Sequence, residues 1–318
     1  MDPALFLADL EAKPDRLAEL AAHLDAVDPW AELPHAEHLV LVGMGSSYFA
    51  ASVAAARLRA RGMNAVAELA SSDLLPAVDD ESVVIAVSAG GGSRETVDAV
   101  STYLDRCPVV LLTNKPGSEL ADQADVVVDM LAGPELGGVA CRSYQHTVAL
   151  LLSLESHLLG YSLDVSALVR SAAGATEDLL TRRDEWLPDV RRLLVGPQGT
   201  HAVAPARRLA SAQQSALMLR EGPRVQAYPC ETGDWSHIDV YLTKSTDYRM
   251  LLLAGSRWED ELLRWVTERG STVVAVGADV PDAELSLRYV GDHDDDVRLL
   301  SETLVAELLA ADVWLSNS

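Results

Sequence analysis

The sequence predicts an α/β protein made of two tandem αβα sandwich halves, each with a mainly five-stranded parallel sheet. Two observations predict this fold class. Short apolar runs alternate with longer amphipathic stretches along most of the chain, and this order of elements occurs twice. Strands that are separated by helices pair in parallel, because the crossover helix returns the chain to the same end of the sheet.

The first half begins with an amphipathic helix over residues 4–25, which Pro14 is expected to break or restart. Apolar runs then predict five strands, at residues 38–42, 65–69, 83–87, 109–113 and 126–130. Helical spacing predicts the connecting helices, at residues 48–61, 94–105, 118–123 and 144–159.

The second half repeats this order after a mostly helical stretch over residues 161–190. Five strands are predicted at residues 193–195, 224–228, 250–254, 272–276 and 287–290, and helices at residues 202–220, 259–268 and 296–314. We therefore expect an N-terminal helical segment, a first αβα domain, a helical linker and a second αβα domain, with bounds at 1–29, 30–165, 166–190 and 191–318.

The composition argues against several classes of partner. The chain has 48 acidic and 25 basic residues, and a nucleic-acid partner is not expected because phosphate backbones require a basic surface. Its three cysteines have no metal-ligating spacing, so we expect neither a disulfide framework nor a metal site, and no cofactor. No apolar run reaches membrane-spanning length and the N-terminus is not a signal peptide, which predicts a cytoplasmic protein without membrane contact.

The turn over residues 88–93 is the most informative segment of the chain. It follows the predicted strand 83–87, contains Ser88, Gly90, Gly91 and Ser93, and precedes a helix. Free amide groups and the helix dipole attract anions at such a helix N-terminus, and ligands of parallel sheets bind at the carboxyl ends of strands. The turn therefore predicts a phosphate site. The alternative is a tight turn in which Ser93 is an ordinary N-cap.

Several segments resemble the sugar isomerase (SIS) family, in particular proteins with two SIS domains. In the first half these segments are GMGSSY at residues 43–48, SAGGGSRET at residues 88–96 and AGPELGGVA at residues 132–140. In the second half, LRE at 219–221 and TGDWSH at 232–237 lie at the family's spacing. The chain is thus similar over nearly its whole length to the isomerase part of glucosamine-6-phosphate synthase, and to stand-alone phosphosugar isomerases and deaminases.

The resemblance implies a role for individual residues. The positions that contact the sugar phosphate and the sugar in the family fall on Ser47, Ser88, Ser93, Val139 and Cys141. Glu221 occupies the position of the carboxylate that moves a proton between C1 and C2. His237 occupies the position of a histidine implicated in ring opening, which the partner subunit usually contributes. The resemblance therefore also implies a homodimer with shared active sites.

These residue types suit aldose–ketose isomerisation. A carboxylate with a raised pKa can take a proton next to a carbonyl and return it one carbon away, and histidine can act as acid and base at the ring oxygen. Alternatives from the residues alone stay open. Glu221 precedes Gly222 and Pro223 and would also suit a solvated helix end, and His237 would suit a capping or interface residue.

Two departures from the family pattern bear on the binding of phosphate. Gly90 stands where the family has a second serine, so one hydroxyl is missing unless backbone amides of residues 90–92 compensate. Arg142 adds a cation that would hold a phosphate or select another acidic group. The alternative for Arg142 is a solvent-facing side chain that pairs with Glu135.

The lysines depart from the family as well. The resemblance implies a lysine beyond the last helix that forms a Schiff base with the open sugar, whereas the three lysines here are Lys13, Lys115 and Lys244. An imine-dependent mechanism is therefore expected to be absent or rebuilt. Enediol isomerisation with Glu221 as the base does not need that lysine.

The function predicted on these grounds is that of a phosphosugar isomerase, of the aldose–ketose or the amino-sugar-phosphate isomerase/deaminase type, with a hexose-6-phosphate-like substrate. One alternative is a non-catalytic SIS protein that senses a sugar phosphate. Another is an isomerase-like enzyme for a different anionic metabolite, selected by Arg142 and the glycine turn. The fold alone does not separate these functions.

Overall fold

The computed structural model describes residues 1–160 and 163–317. The chain forms two compact units. The first unit comprises Arg16–Pro134 and Arg142–Val169, and the second comprises Met1–Asp15, Glu135–Cys141 and Arg170–Ser318. Each unit contains one parallel sheet, so the predicted α/β fold with two five-stranded sheets is confirmed.

The first sheet lies in the first unit and has the strand order β2-β1-β3-β4-β5. Its strands are β1 (His38–Gly43), β2 (Asn64–Leu69), β3 (Ser82–Val87), β4 (Val109–Thr113) and β5 (Val126–Asp129). Its helices are α3 (Ser46–Ala60), α4 (Arg94–Tyr103) and α5 (Arg142–Leu159), with a 3-10 turn at Ala121–Gln123. Every residue of β3 is buried, as expected for a central strand that is covered on both faces.

The N-terminal helices are α1 (Pro3–Glu11) and α2 (Lys13–Ala26), and the predicted helix over residues 4–25 does break next to Pro14. The helices of the predicted linker are α6 (Val165–Thr181) and α7 (Arg183–Leu194). The domain bounds predicted from the sequence stay a prediction. None of the helices that the described residues form is both long enough and apolar enough to cross a bilayer.

The second sheet has the order β10-β9-β8-β6-β7. Its strands are β6 (Thr200–Ala204), β7 (Ala227–Glu231), β8 (Arg249–Leu253), β9 (Thr272–Val276) and β10 (Leu285–Leu287). The α-helices of this part are α8 (Leu209–Glu221), α9 (Glu259–Glu268), α10 (Asp295–Ser301) and α11 (Thr303–Ser316). Short 3-10 segments lie at Ala206–Arg208, Asp234–Ser236 and Asp239–Lys244.

The two sheets have the same topology. Read from β7 to β10, the second order repeats the first order from β2 to β5, with all neighbours parallel. Strand β8 is therefore the counterpart of β3. The turn that follows β8 is likewise the counterpart of the turn at residues 88–93.

The sequence prediction was wrong at the start of the second half. The predicted strand at 193–195 is the end of α7, whose last residue is Leu194, and the first strand of the second sheet is β6 instead. The predicted helix over 202–220 begins only at Leu209. Smaller differences are the later start of β7, the earlier end of β10 and the division of the last helix into α10 and α11.

Candidate functional site

In the first unit, two serines lie at the carboxyl edge of the sheet. Strands β1 and β3 are neighbours with Gly43 opposite Val87, so the turns that follow them begin side by side. Ser47 is the second residue of α3, and Ser88 follows β3 directly. Neither hydroxyl group makes a hydrogen bond to any described residue. Both are therefore able to donate to a ligand at this edge.

The turn at 88–93 has one glycine that its geometry requires and one that it does not. Gly91 has a φ of 62°, and a Cβ there would lie 2.3 Å from Ser118 Oγ. Its amide donates to Ser88 O at 3.0 Å, which closes the turn. A Cβ at Gly90 would meet nothing within 4 Å. Gly91 therefore maintains the turn, whereas position 90 can accept a side chain.

Ser93 is the N-cap residue of α4, but its side chain does not cap the helix. Its Oγ instead lies 2.6 Å from Thr96 Oγ1. Within the described residues, the amides of Gly92 and Ser93 also have no acceptor. The alternative of an ordinary N-cap is therefore wrong, and unpaired donors point out of the turn, as in anion-binding helix N-termini.

The sequence reasoning missed two residues near this turn. Arg94 is the first residue of α4 and is exposed, a position where the helix dipole disfavours a cation unless an anion is near. Asn114 accepts a hydrogen bond from Ala132 N at 3.0 Å and donates one to Gly133 O at 2.8 Å, while its own amide donates to Ala89 O. Asn114 thus links the turn to the segment that precedes α5, a contact between distant positions that periodicity does not reveal.

The counterpart turn in the second unit is filled by the chain's own carboxylate. Glu259 is the first residue of α9, the position that Arg94 has in α4. Its Oε1 accepts hydrogen bonds from the amides of Gly255 and Ser256. An internal anion thus binds amides of this turn, whereas in the first unit the amides of Gly92 and Ser93 have no acceptor among the described residues. The two turns share a topology but differ in the sign of the charge at the helix start.

Arg142 is buried, with 4% of its surface exposed, and its guanidinium donates to Pro134 O. It is the first residue of α5. The alternative of a solvent-facing arginine is therefore wrong, and its role toward a phosphate stays a prediction. The backbone contact shows that Arg142 holds the end of the segment at residues 132–134.

In the second unit, the segment at residues 135–141 carries two of the predicted sugar-contact positions. Val139 and Cys141 are both buried, so their side chains are not presented to solvent. The backbone of the segment is held by two side chains: Gln214 Nε2 donates to Ala140 O at 3.0 Å, and Glu135 Oε1 accepts from Cys141 N at 2.7 Å. Burial raises the pKa of the Cys141 thiol well above its ordinary value, so this thiol is neutral.

Glu221 is the last residue of α8 and is half-buried. Burial raises the pKa of Glu221, and the nearby carboxylate of Glu135 raises this pKa further. Its carboxylate makes no hydrogen bond to the described residues. An unpaired carboxylate with an increased affinity for protons is the type of group that proton transfer needs.

His237 is exposed and follows the 3-10 segment Asp234–Ser236, where its amide donates to Asp234 O at 2.8 Å. No hydrogen bond or charge interaction among the described residues joins it to Glu221. The structure thus brings Glu221 together with Glu135, but not with His237. The place of His237 in a site shared with a second subunit stays a prediction.

The three lysines lie in different settings. Lys115 is exposed after β4, and its amide donates to Thr113 Oγ1 at 3.1 Å. Lys244 is exposed, with its Nζ 5.6 Å from the ring centroid of Tyr241. Lys13 is fully buried and pairs with Glu307. The described residues include no group of three or more His, Cys, Asp or Glu side chains placed to hold a metal ion.

The fold and these features define an α/β protein with two parallel-sheet halves and, in the first half, a turn whose amides at Gly92 and Ser93 have no acceptor among the described residues. Residues 32–156 match the family model of the SIS domain. The resemblance inferred from residues 43–48, 88–96 and 132–140 is thereby confirmed.

Known proteins with similar sequences include named enzymes. The chain is 28% identical over 221 residues to the glutamine–fructose-6-phosphate aminotransferase (isomerizing) of Aeropyrum pernix, which covers 66% of this chain and 36% of that protein. The chain thus spans about a third of the length of that relative.

Two solved structures share the fold over nearly the whole chain. The C-terminal domain of glucosamine-fructose-6-phosphate aminotransferase from Francisella tularensis superposes with a TM-score of 0.81 at 15% identity, covering 98% of this chain and 96% of that chain. The tagatose-6-phosphate ketose/aldose isomerase of Escherichia coli gives a TM-score of 0.80 at 16% identity, covering 99% and 93%. At these identities the likeness shows the shared fold.

Proposed function

We propose that the chain is a phosphosugar isomerase that acts on a hexose-6-phosphate-like substrate, with Glu221 as the base. The observation that carries this proposal is the state of Glu221: it is half-buried, it makes no hydrogen bond to the described residues, and burial and Glu135 raise its pKa. The relatives with this fold are named for reactions of sugar phosphates, which supports the same class of substrate.

The turn at 88–93 is proposed to bind the phosphate group. Ser47 Oγ, Ser88 Oγ and the amides of Gly92 and Ser93 supply unpaired donors on one edge of the sheet. Hydrogen bonds to a charged group are roughly twice as strong as those between neutral groups, and the dipole of α4 adds to them. Because Glu259 fills the counterpart turn, we expect one phosphate per chain.

In the proposed reaction, the open-chain ketose carries its carbonyl at C2. Glu221 removes a proton from C1 while the carbonyl oxygen gains a proton, which gives a cis-enediol. The enediol then loses the proton of its C1 hydroxyl and C2 receives a proton from Glu221, which leaves an aldose. The reaction needs no external oxidant. We further propose that His237 serves ring opening in the site of a second copy of the chain, as a homodimer would allow.

One observation favours a second candidate function, a binding module that senses a sugar phosphate without turnover. Gly90 brings no hydroxyl to the turn. A sensor would need the phosphate turn but not a proton-transfer carboxylate. The state of Glu221 favours the enzyme, because a carboxylate that only ended a helix would gain nothing from partial burial beside Glu135.

Isotope exchange separates the two functions. The protein is incubated with fructose 6-phosphate or glucosamine 6-phosphate in deuterated water, and deuterium at C1 and C2 is measured by NMR. We expect exchange in the unaltered protein, and a loss of about 100-fold or more in Glu221→Gln. The matched control is Glu268→Gln, since Glu268 is also the last residue of a helix but is exposed.

Each outcome decides between the candidates. Exchange that Glu221→Gln does not slow would contradict the role of Glu221. Thermal stabilisation by the sugar phosphates without any exchange would support the sensor, because a ligand that binds the folded state alone raises its stability. Since the substitution is nearly isosteric, Glu221→Gln is expected to cost less than about 1.5 kcal/mol of folding stability.

A further inference from the structure

A cavity of about 380 Å³ in the second unit has no part in the proposed reaction. Its walls come from the end of α8, from the turn that follows this helix and from the start of β7. Arg220, Arg224, Gln226 and Tyr228 supply its polar groups, and none of the described residues that line it is acidic. Pockets of this volume hold small-molecule ligands in many proteins. The charge of the lining therefore indicates the kind of ligand.

The two arginines of this cavity are exposed and unpaired. Neither Arg220 nor Arg224 makes a side-chain hydrogen bond, an ion pair or a ring contact within the described part of the chain, although Glu221 follows Arg220 directly. Arginines elsewhere in the second unit, such as Arg191 and Arg249, bind a carboxylate or carbonyl groups. The chain has 48 acidic and 25 basic residues, so acidic partners are abundant. Two unpaired arginines in one cavity therefore indicate a ligand of negative charge.

The backbone of Arg224 supports the same interpretation. Its φ is 58°, in the left-handed region that glycine adopts without strain and that a long side chain disfavours. Its amide has no acceptor in the described ranges 1–160 and 163–317. Residues in such conformations are frequent at ligand-binding positions. An arginine thus occupies a position that glycine would suit better for folding, and a free N–H group accompanies its guanidinium.

Tyr228 and Gln226 form a part of the wall that other side chains hold in place. The ring of Tyr228 stacks on His201 with the ring centroids 5.1 Å apart, and His201 Nδ1 lies 2.9 Å from Asp239 Oδ2. The Tyr228 hydroxyl donates to Gln226 Oε1 at 3.3 Å, which leaves Gln226 Nε2 as a donor without an acceptor in the described structure. A wall that is ordered before the ligand arrives lowers the entropy cost of binding.

The number and kind of these donors define the class of ligand. A guanidinium group binds a carboxylate through two parallel N–H···O bonds. Two separate guanidinium groups therefore match two carboxylate groups, and a cavity of about 380 Å³ has room for the carbon skeleton that joins them. Val225 and Pro229 add apolar surface to the lining, which suits such a skeleton.

We propose that this cavity binds a small dicarboxylate or tricarboxylate anion, with Arg220 and Arg224 each holding one carboxylate group. The Arg224 amide and Gln226 Nε2 supply further donors to the same ligand. The inference goes beyond the proposed isomerase function and does not depend on it, because the site uses neither Glu221 nor the turn at residues 88–93.

Titration of the full chain with succinate and citrate tests this site. Binding is followed by NMR through the side-chain Nε–H signals of ¹⁵N-labelled arginines, with the ionic strength held constant by NaCl. The signals of Arg220 and Arg224 are assigned through the variants described below. We expect both signals to shift along one saturable curve. Acetate, which has a single carboxylate, is expected to bind about tenfold more weakly or worse, because it can satisfy only one of the two guanidinium groups.

Three variants separate binding from folding. Arg220→Gln and Arg224→Gly are each expected to weaken succinate binding about tenfold or more, since each removes charge-assisted hydrogen bonds, and the remaining arginine reports the binding. Arg224→Gly is expected to unfold at the same urea concentration as the unaltered protein or at a higher one, because glycine adopts this φ without strain. Arg264→Gln is the matched control: Arg264 is an exposed arginine of the same unit, but it packs on the ring of Trp265 at 5.0 Å. This control should bind succinate as the unaltered protein does.

Several results would overturn the proposal. These are shifts that do not saturate, equal affinities for acetate and succinate, or tighter binding of inorganic phosphate than of succinate and citrate. An equal loss of affinity in Arg264→Gln would also overturn it, because it would show a general effect of charge and not a site. If Arg224→Gly did not fold, Arg220→Gln alone would decide: unchanged affinity in that variant would reject the site, and a tenfold loss would support it.

Discussion

At the scale of single residues, two adjacent glycines in the turn at residues 88–93 have opposite requirements. Gly91 adopts a left-handed conformation and lies against Ser118, whereas Gly90 is exposed and has open space around its Cα. The sequence shows a run of three glycines and cannot separate them, because the contact that distinguishes Gly91 comes from a residue in the next βα connection. The position of the turn between β3 and α4 was predictable, but its internal geometry was not.

Substitutions in this turn are expected to differ accordingly. Gly91→Ala should lower the free energy of unfolding by about 1–3 kcal/mol and abolish the rise in melting temperature caused by fructose 6-phosphate, because it combines a strained φ with a clash. Gly90→Ala should change neither the free energy of unfolding nor the rise in melting temperature caused by the ligand. Gly90→Ser should bind the sugar phosphate about tenfold more tightly through its added hydroxyl.

Thermal melting with and without the ligand measures these effects, with Gly90→Ala as the matched control for Gly91→Ala. Equal behaviour of the two alanine variants would show that the conformation of Gly91 does not matter for binding. A weaker response in Gly90→Ser would show that the phosphate does not approach position 90.

At the scale of elements, the sequence prediction succeeded where apolar runs are long and failed where alanine is frequent. Strand β6 reads THAVA, and alanine favours helices, so the prediction extended the following helix over it. Its central place between β7 and β8 overrides that preference. Similarly, Leu193 and Leu194 resemble a strand but end α7, where Arg249 binds the last carbonyl groups of the helix.

The helix α6 contains a glycine that nothing in the structure requires. Gly174 lies in the middle of this helix, is exposed, and a Cβ there would meet nothing within 4 Å. Gly174→Ala is therefore expected to raise the free energy of unfolding by about 0.5–1 kcal/mol, since alanine loses less backbone entropy in a helix. Urea unfolding measures the change.

Gly137→Ala provides the contrast to this substitution, because its Cβ would lie 2.4 Å from Phe6 Cα. That variant is expected to be less stable than the unaltered protein. If Gly174→Ala were equally destabilising, the glycine in α6 would have a packing role that the described residues do not show.

At the scale of the whole molecule, the net charge of −23 at pH 7 opposes folding through repulsion between carboxylates. Burial raises the pKa values of Glu302 and Glu307, which Arg208 and Lys13 only partly offset. Burial also acts on Asp292 and Asp295, but arginine partners lower their pKa values below the ordinary 3.8. The two groups of carboxylates therefore affect stability in opposite directions as the pH changes.

The sign of each effect follows from proton binding. A carboxylate with a raised pKa binds more protons in the folded state than in the unfolded state. Its contribution to folding stability is therefore lost as the pH rises above 4.5, the ordinary pKa of the group. A carboxylate with a lowered pKa stabilises the folded state when the pH is above 3.8, the ordinary pKa of the group. This stabilisation is lost as the pH falls below that value. We therefore expect these groups to make the free energy of unfolding highest between 3.8 and 4.5 on the pH scale and to make it decline as the pH rises further.

Urea unfolding from pH 3 to pH 8 tests this expectation, with added NaCl at pH 8 expected to recover part of the loss by screening. Asp295→Asn serves as the control, because it removes one of the groups responsible for the decline below pH 3.8. A steady increase in stability from pH 5 to pH 8 would contradict the assigned directions.

The turn after β8 in the second unit provides a comparison, within the same chain, for the turn at residues 88–93. Glu259 is a counter-ion that belongs to the chain itself, whereas the turn at residues 88–93 is proposed to take its counter-ion from a ligand. The two turns share one topology, but one has amides bound by a carboxylate and the other has unpaired donors. Features common to both turns therefore belong to the fold, and features of the first turn alone are candidates for ligand binding. Glu259 at the start of α9 therefore gives the second unit, by a side chain, the kind of contact that a ligand is proposed to give the first unit.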